Sequence, residues 1–128
     1  MSKSSFHILR VGIAITFLWI GVLIFKEPQA WGGYIMPWAA ELLPMPIEEA
    51  MIGTAVFDIA IGILLLVDSF VCLAAIIGAI HLVSILTVSG INEGTVRDIG
   101  LLAAAVALLV ETFPRNYIDK IYSRRRGI

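Results

Sequence analysis

One cysteine, Cys72, leaves this 128-residue chain without a CxxC pair, so it cannot run dithiol–disulfide chemistry by itself. Lying within an apolar helix, Cys72 reads as a small hydrophobe. Histidines are as scarce. His7 and His81 alone make a transition-metal ligand set hard to assemble, so no metal site is expected. Charged residues make up only 15% of the chain and the net charge is −1, so nothing points to nucleic acid. The in–out alternation of a membrane β-barrel is missing. Polar faces at a helical period, which a soluble bundle needs, are almost absent from three of the long apolar runs. No internal repeat or low-complexity stretch is evident.

What the chain does have is apolar length. Hydrophobic residues make up 59% and the mean hydropathy is +0.96, far above a soluble domain. A membrane-crossing helix needs about 20 mainly apolar residues. Four candidate spans fit, at about 6–25, 47–67, 70–88 and 96–113. The fourth has an apolar centre only from Ile99 to Val110. It crosses if Arg97, Asp98 and Glu111 sit near the two interfaces. The expected fold is all-α: one integral membrane four-helix bundle, with a long outer loop that carries a short interfacial helix.

The first run has a basic start, at Lys3 and Arg10, like a secretory signal. No small-x-small cleavage site follows it, so it is read as a mature span. Seven basic residues (Lys3, Arg10, Arg115, Lys120, Arg124, Arg125 and Arg126) lie on the side of the termini. Only Lys26 and Arg97 lie opposite. That asymmetry predicts a multi-pass protein of the cytoplasmic membrane with both termini cytoplasmic. Trp31, Tyr34 and Trp38 suit the membrane–water interface of the outer loop. There, Pro37 is expected to open a short helix that Pro44 ends. Pro46 then fits the start of the second span, with Glu48 and Glu49 at its positive dipole end.

Inside this apolar frame Asp58 stands out, in the middle of the run Ala50–Val67. An ionisable group at that depth is costly, so it faces a bundle interior, finds a partner and is a functional candidate by default. Counting from the outer ends, Asp58 lies eight residues below Ala50 and His81 seven before Val88. At 1.5 Å per residue both sit about 10–12 Å down, on adjacent antiparallel helices. If adjacent, the two could take or pass a proton. Arg97 can reach down from above, and Lys26 closes the first span on the same side, with Trp19 seven residues earlier. Asp98 has two readings. It can belong to this cluster, or close the capping pattern TVRD at Thr95–Asp98. Asp58, too, can be a ligand or proton site, or half of a buried ion pair that fixes helix register. Arg10 and Glu111 form a second candidate pair, read as structural.

Taken in order, these features resemble the DoxX family of small bacterial and archaeal membrane proteins. They are LRVGIAITFLWIGVLIFKEP, with Arg10 opening and Lys26 closing the span, then GTAVFDIAIGILLL around Asp58, then TVRDIGLLAAAVALLVE. The resemblance implies a four-helix membrane bundle. It also implies association with thiosulfate:quinone oxidoreductases as a membrane subunit, or with thiol-redox complexes. Many members carry Glu where this chain has Asp58, one methylene shorter.

Three functions follow. The first is a redox-associated subunit with a polar pocket for a quinone or a small sulfur compound. It would have no intrinsic cofactor and would need a partner oxidoreductase. As an enzyme it would be at most a non-catalytic or co-catalytic subunit. The candidate residues are Asp58, His81, Arg97, Lys26, Trp19 and Asp98. The second is a small proton-coupled transporter. The third is a structural or assembly protein. The expected surroundings are a lipid bilayer, with a homo-oligomer as a further possibility.

Overall fold

A computed structural model describes residues 2–93 and 95–113. The basic tail positions, from Arg115 to Arg126, lie outside the described residues, as does Gly94. Among the described residues six helices follow one another: α1 (Lys3–Lys26), α2 (Pro28–Gly32), α3 (Pro37–Leu42), α4 (Ile47–Leu66), α5 (Val71–Ser89) and α6 (Val96–Thr112). No strand occurs among the described residues. Helices α1, α4 and α5 are long and apolar enough to cross a membrane. Helix α6, with 17 residues, rises about 25 Å, shorter than the roughly 30 Å hydrocarbon core.

Local chemistry sets the ends. The Ser2 hydroxyl accepts from the Ser5 amide at 3.1 Å, which starts α1 three residues before its apolar run. Pro28 and Pro37 open α2 and α3, where a missing N–H costs nothing. Pro46 precedes α4, and Glu48 and Glu49 occupy its first turn. The loop between α1 and α4 thus carries two short helices rather than the single one expected; the signal for the extra one was Pro28.

The four long helices pack in sequence around a ring: α1 on α4, α4 on α5, α5 on α6, and α6 back on α1. The α1–α4 seam is the most extensive. Its closeness comes from two glycines. A Cβ on Gly21 would sit 2.9 Å from the Ala55 carbonyl oxygen, and one on Gly62 would sit 3.0 Å from that of Ala14. With no side chains in the way, the backbones approach as small residues allow in lipid. The main core gathers Ile13, Ala14, Phe17, Ile61, Leu65, Ala74, Leu82 and Leu108. A smaller cluster of Ile24, Met51 and Ala55 lies under Trp31, Ile35 and Ile47, where α2 covers the α1–α4 seam. The outward faces are apolar as well, with Ile8, Phe70, Ile80 and Val110 exposed, as a lipid environment requires.

The link between α4 and α5 is tight. Asp68 and Phe70 both take positive φ, 59° and 52°. This backbone conformation is unfavourable for an L residue without a local compensation. Arg10 supplies one. It is buried, donates to the carbonyls of Leu65 at 2.7 Å and Leu66 at 2.9 Å, and lies 3.6 Å from Asp68. The last carbonyls of α4 lack helical partners, so a guanidinium there closes the helix end. Arg10 is therefore committed to α4 and Asp68, partners that had not been singled out in the sequence. Glu111 sits partly buried in the last turn of α6.

Candidate functional site

The sequence pairs Asp58 with His81 by depth, and the structure brings them together. His81 Nε2 lies 2.9 Å from Asp58 Oδ1 across the α4–α5 contact. The approach is close but not directed along the ring N–H, so Nε2 makes no well-formed hydrogen bond. Asp58 is only 2% exposed. Behind it, the His81 ring packs on Phe57 with centroids 4.8 Å apart, and Phe57 is exposed on the outer surface of α4. Helix periodicity explains the placement: Ala55, Asp58 and Gly62 share the inward face of α4.

A cavity of about 100 Å³ opens beside Asp58. Its body is apolar and aromatic, formed by Phe17, Ile20, Trp31, Met51, Ile85 and Leu101. Asp58, Thr54, Ser89, Thr95, Arg97 and Asp98 supply its polar wall. His81 is not part of this wall; it stands behind Asp58.

Of the two readings of Asp98, the structure departs from the capping one. Thr95 does occupy the N-cap position of α6, but its side chain makes no cap bond to the helix. Instead the Thr95 hydroxyl donates to the Gly90 carbonyl and accepts from the Asn92 amide at 3.1 Å. The Thr95 amide in turn donates to Asn92 Oδ1 at 3.1 Å. This replaces the capping box expected from TVRD, because the hydroxyl is drawn back into the turn after α5. Asp98 is left 6% exposed in the first turn of α6, lining the cavity. Among the described residues its carboxyl has no hydrogen-bonding or ion-pair partner. It still lies within electrostatic reach of Arg97, Asp58 and His81.

Arg97 turns toward the loop between α1 and α4 rather than to Asp58. Its guanidinium carbon lies 4.8 Å from the centroid of the Trp31 ring, which ties the start of α6 to α2. Trp31 therefore helps build the cavity, a role beyond the interfacial anchor expected of it.

Two expected members stand elsewhere. Trp19 is 67% exposed, and Lys26 is exposed at the end of α1. Both line a shallow apolar depression on the outward surface of α1 with Leu18, Val22 and Leu23. The inward face of α1 runs through Arg10, Ala14, Phe17, Gly21 and Ile24. Trp19 and Lys26 each come two residues after a member of that face, about 200° around the helix. Among the described residues no three His, Cys, Asp or Glu side chains gather in a way that could hold a metal ion. No family model, no curated protein and no solved structure matches the chain.

Proposed function

We propose that this chain is a redox-associated membrane subunit whose cavity holds a small ring compound of the quinone class, with a partner oxidoreductase supplying electrons. One observation carries the reading: an apolar cavity of about 100 Å³ whose polar wall contains two buried carboxyls, Asp58 and Asp98. Apolar pockets with a few convergent polar groups are the usual form of small-molecule sites. At about 100 Å³ it is smaller than the roughly 150 Å³ engineered cavity that accepts benzene, so a bound ring would fill it and extend out through its mouth. Of the two ligand types expected, a neutral quinone ring fits this wall better than a sulfur oxyanion. An oxyanion needs convergent cationic donors, and Arg97, the one basic side chain in the wall among the described residues, is carried onto the Trp31 ring.

In this reading α6 is the fourth crossing, the loop bearing α2 and α3 lies on the outer face, and both termini are cytoplasmic. The DoxX-like order of Arg10, Lys26, Asp58 and Arg97-Asp98 supports the redox assignment. Quinone reduction consumes protons with electrons, and the Asp58–His81 contact gives the cavity wall a proton-handling pair. Within the proposal, Trp19 and Lys26 belong to the lipid-facing surface rather than to the site.

The test is quinone binding to purified protein in lipid nanodiscs, with and without Asp58→Asn. The expected result is a binding signal that falls in the variant; undiminished binding sinks the reading. The facing acids also support a second reading, a small proton-coupled transporter. Proton-driven flux in liposomes, lost in the same variant, would select it instead.

A further inference from the structure

The two buried carboxyls of the cavity have different surroundings. Asp58 has His81 Nε2 at 2.9 Å, a group able to carry positive charge. Asp98 lines the same cavity at 6% exposure, and its carboxyl is without a hydrogen-bond or ion-pair partner among the described residues. The groups that face Asp98 are few. Arg97 comes from its own turn but is carried onto Trp31, Asp58 comes from α4, His81 from α5 and Tyr34 from the segment after α2. From α1 the cavity receives Phe17, Ile20 and Ile24, none of them titratable.

Two anions in one apolar wall repel each other, and a site with paired acids resolves this by giving them different roles. Asp58 already has an imidazole as its partner. Asp98, lacking such a partner, is suited to hold the proton. We infer that Asp98 is the ligand-facing donor of the cavity, offering its carboxyl O–H to a carbonyl oxygen on the bound ring, while Asp58 is engaged with His81. This rests on the reading of the cavity as a small-molecule site. It also moves the focus of recognition from the middle of α4 to the first turn of α6.

A donor can be told from an anion by comparing two substitutions. Asp98→Asn keeps a donor at that position, and Asp98→Leu removes it. With duroquinone as the probe and the full chain in nanodiscs, Asp98→Leu is expected to weaken binding about tenfold, the worth of one hydrogen bond. Asp98→Asn is expected to stay within about threefold of the parent. Infrared difference spectra should also show a protonated-carboxyl C=O band that shifts when duroquinone is added and disappears in both variants. Equal losses in both variants would mean that Asp98 acts as an anion and would overturn the assignment. So would a band that survives in Asp98→Leu, or binding that neither variant changes. In each of those outcomes the parent still binds duroquinone, so the cavity reading stands. A parent that binds no duroquinone takes down both. Helical circular dichroism of the two variants, matched to the parent, excludes misfolding as the cause of any loss.

Discussion

The ring of helices buries charge at two levels, and the two places are built differently. At one, Arg10 has an acceptor for each of its directions: the Leu65 and Leu66 carbonyls, His7 Nδ1 at 3.3 Å and the Asp68 carboxylate. At the other, Asp98 has no such partner among the described residues, Asp58 has one poorly aligned contact, and a cavity adjoins both. Burying a charge is costly in either place. The difference lies in what offsets it. Around Arg10 the fold itself does so, and the result is a closed helix end and a tight link. Around Asp98 the fold supplies no such partner among the described residues, which is what the proposed site needs.

The largest expected effect lies at the satisfied end. Arg10→Met takes the guanidinium from the Leu65 and Leu66 carbonyls, of which Leu65 keeps the long bond from the Asp68 amide at 3.3 Å, and leaves Asp68 without its counter-charge in a left-handed conformation. Removing one partner of a buried polar cluster typically costs about 2–4 kcal/mol. The midpoint of thermal unfolding in detergent should drop by many degrees. A drop no greater than that of a surface substitution would show that Arg10 is not the fastening described. Next comes the α1–α4 seam that holds both ends in place. A Cβ at Gly62 would lie 2.7 Å from Leu18 Cγ and 3.0 Å from α1 backbone atoms, so one helix must shift. Gly62→Val should cost about 1–3 kcal/mol by overpacking, read by the same thermal measurement. Gly53, with open space around the added atom, is the control.

How far this contrast could be read from sequence depends on what each part needs. The meeting of Asp58 and His81 needs only helix rise and chain direction, and counting residues from the outer ends suffices. The positions of α1, α4 and α5 follow from apolar length, and those of α3 and α4 from Pro37 and Pro46. Trp19 shows where counting fails. Its spacing to Lys26 says that the two share a face, but not which face turns inward; Phe17 and Gly21 decide that by packing against α4 and α5. Thr95 shows another limit. Its pattern fits a capping box, yet a hydroxyl can serve either the helix after it or the turn before it, and the Gly90–Asn92 turn wins. A polar pocket could be expected from Asp58, Arg97 and Asp98, but its apolar lining could not, because that forms only once α2 folds over the α1–α4 seam and Arg97 settles on Trp31.

The third prediction reverses sign between the two ends. If the fold does not stabilise the Asp98 carboxyl, then removing it should not harm the fold. Asp98→Leu should leave thermal stability unchanged or raise it by up to about 1 kcal/mol, since an unpaired buried polar group is a burden. Arg10→Met, also a charged-to-apolar change at a buried position, should do the opposite. Strong destabilisation by Asp98→Leu would make Asp98 a structural residue and weaken the contrast.

The smallest effect sharpens the contrast from the loop side. Trp31 holds Arg97 through its ring face, and Arg97 is exposed, so the contact is a solvated one. Such cation–π pairs contribute about 0.5–1 kcal/mol. Trp31→Leu keeps an apolar group over Met51 and Ile47 but removes the ring. The thermal midpoint should therefore barely move. Access to Arg97 should change more, because its guanidinium loses the surface on which it rests. Trypsin cleavage after Arg97 should speed up in the variant while cleavage after Arg10, held among the α4 carbonyls, stays slow. The comparison between the two arginines is the point of the experiment. One is built into the fold by the carbonyls that end α4; the other is laid over an aromatic ring at the mouth of a cavity. Should Trp31→Leu cost as much stability as Arg10→Met, the two ends would not differ in kind, and the case for a ligand at the Asp98 end would lose its physical basis.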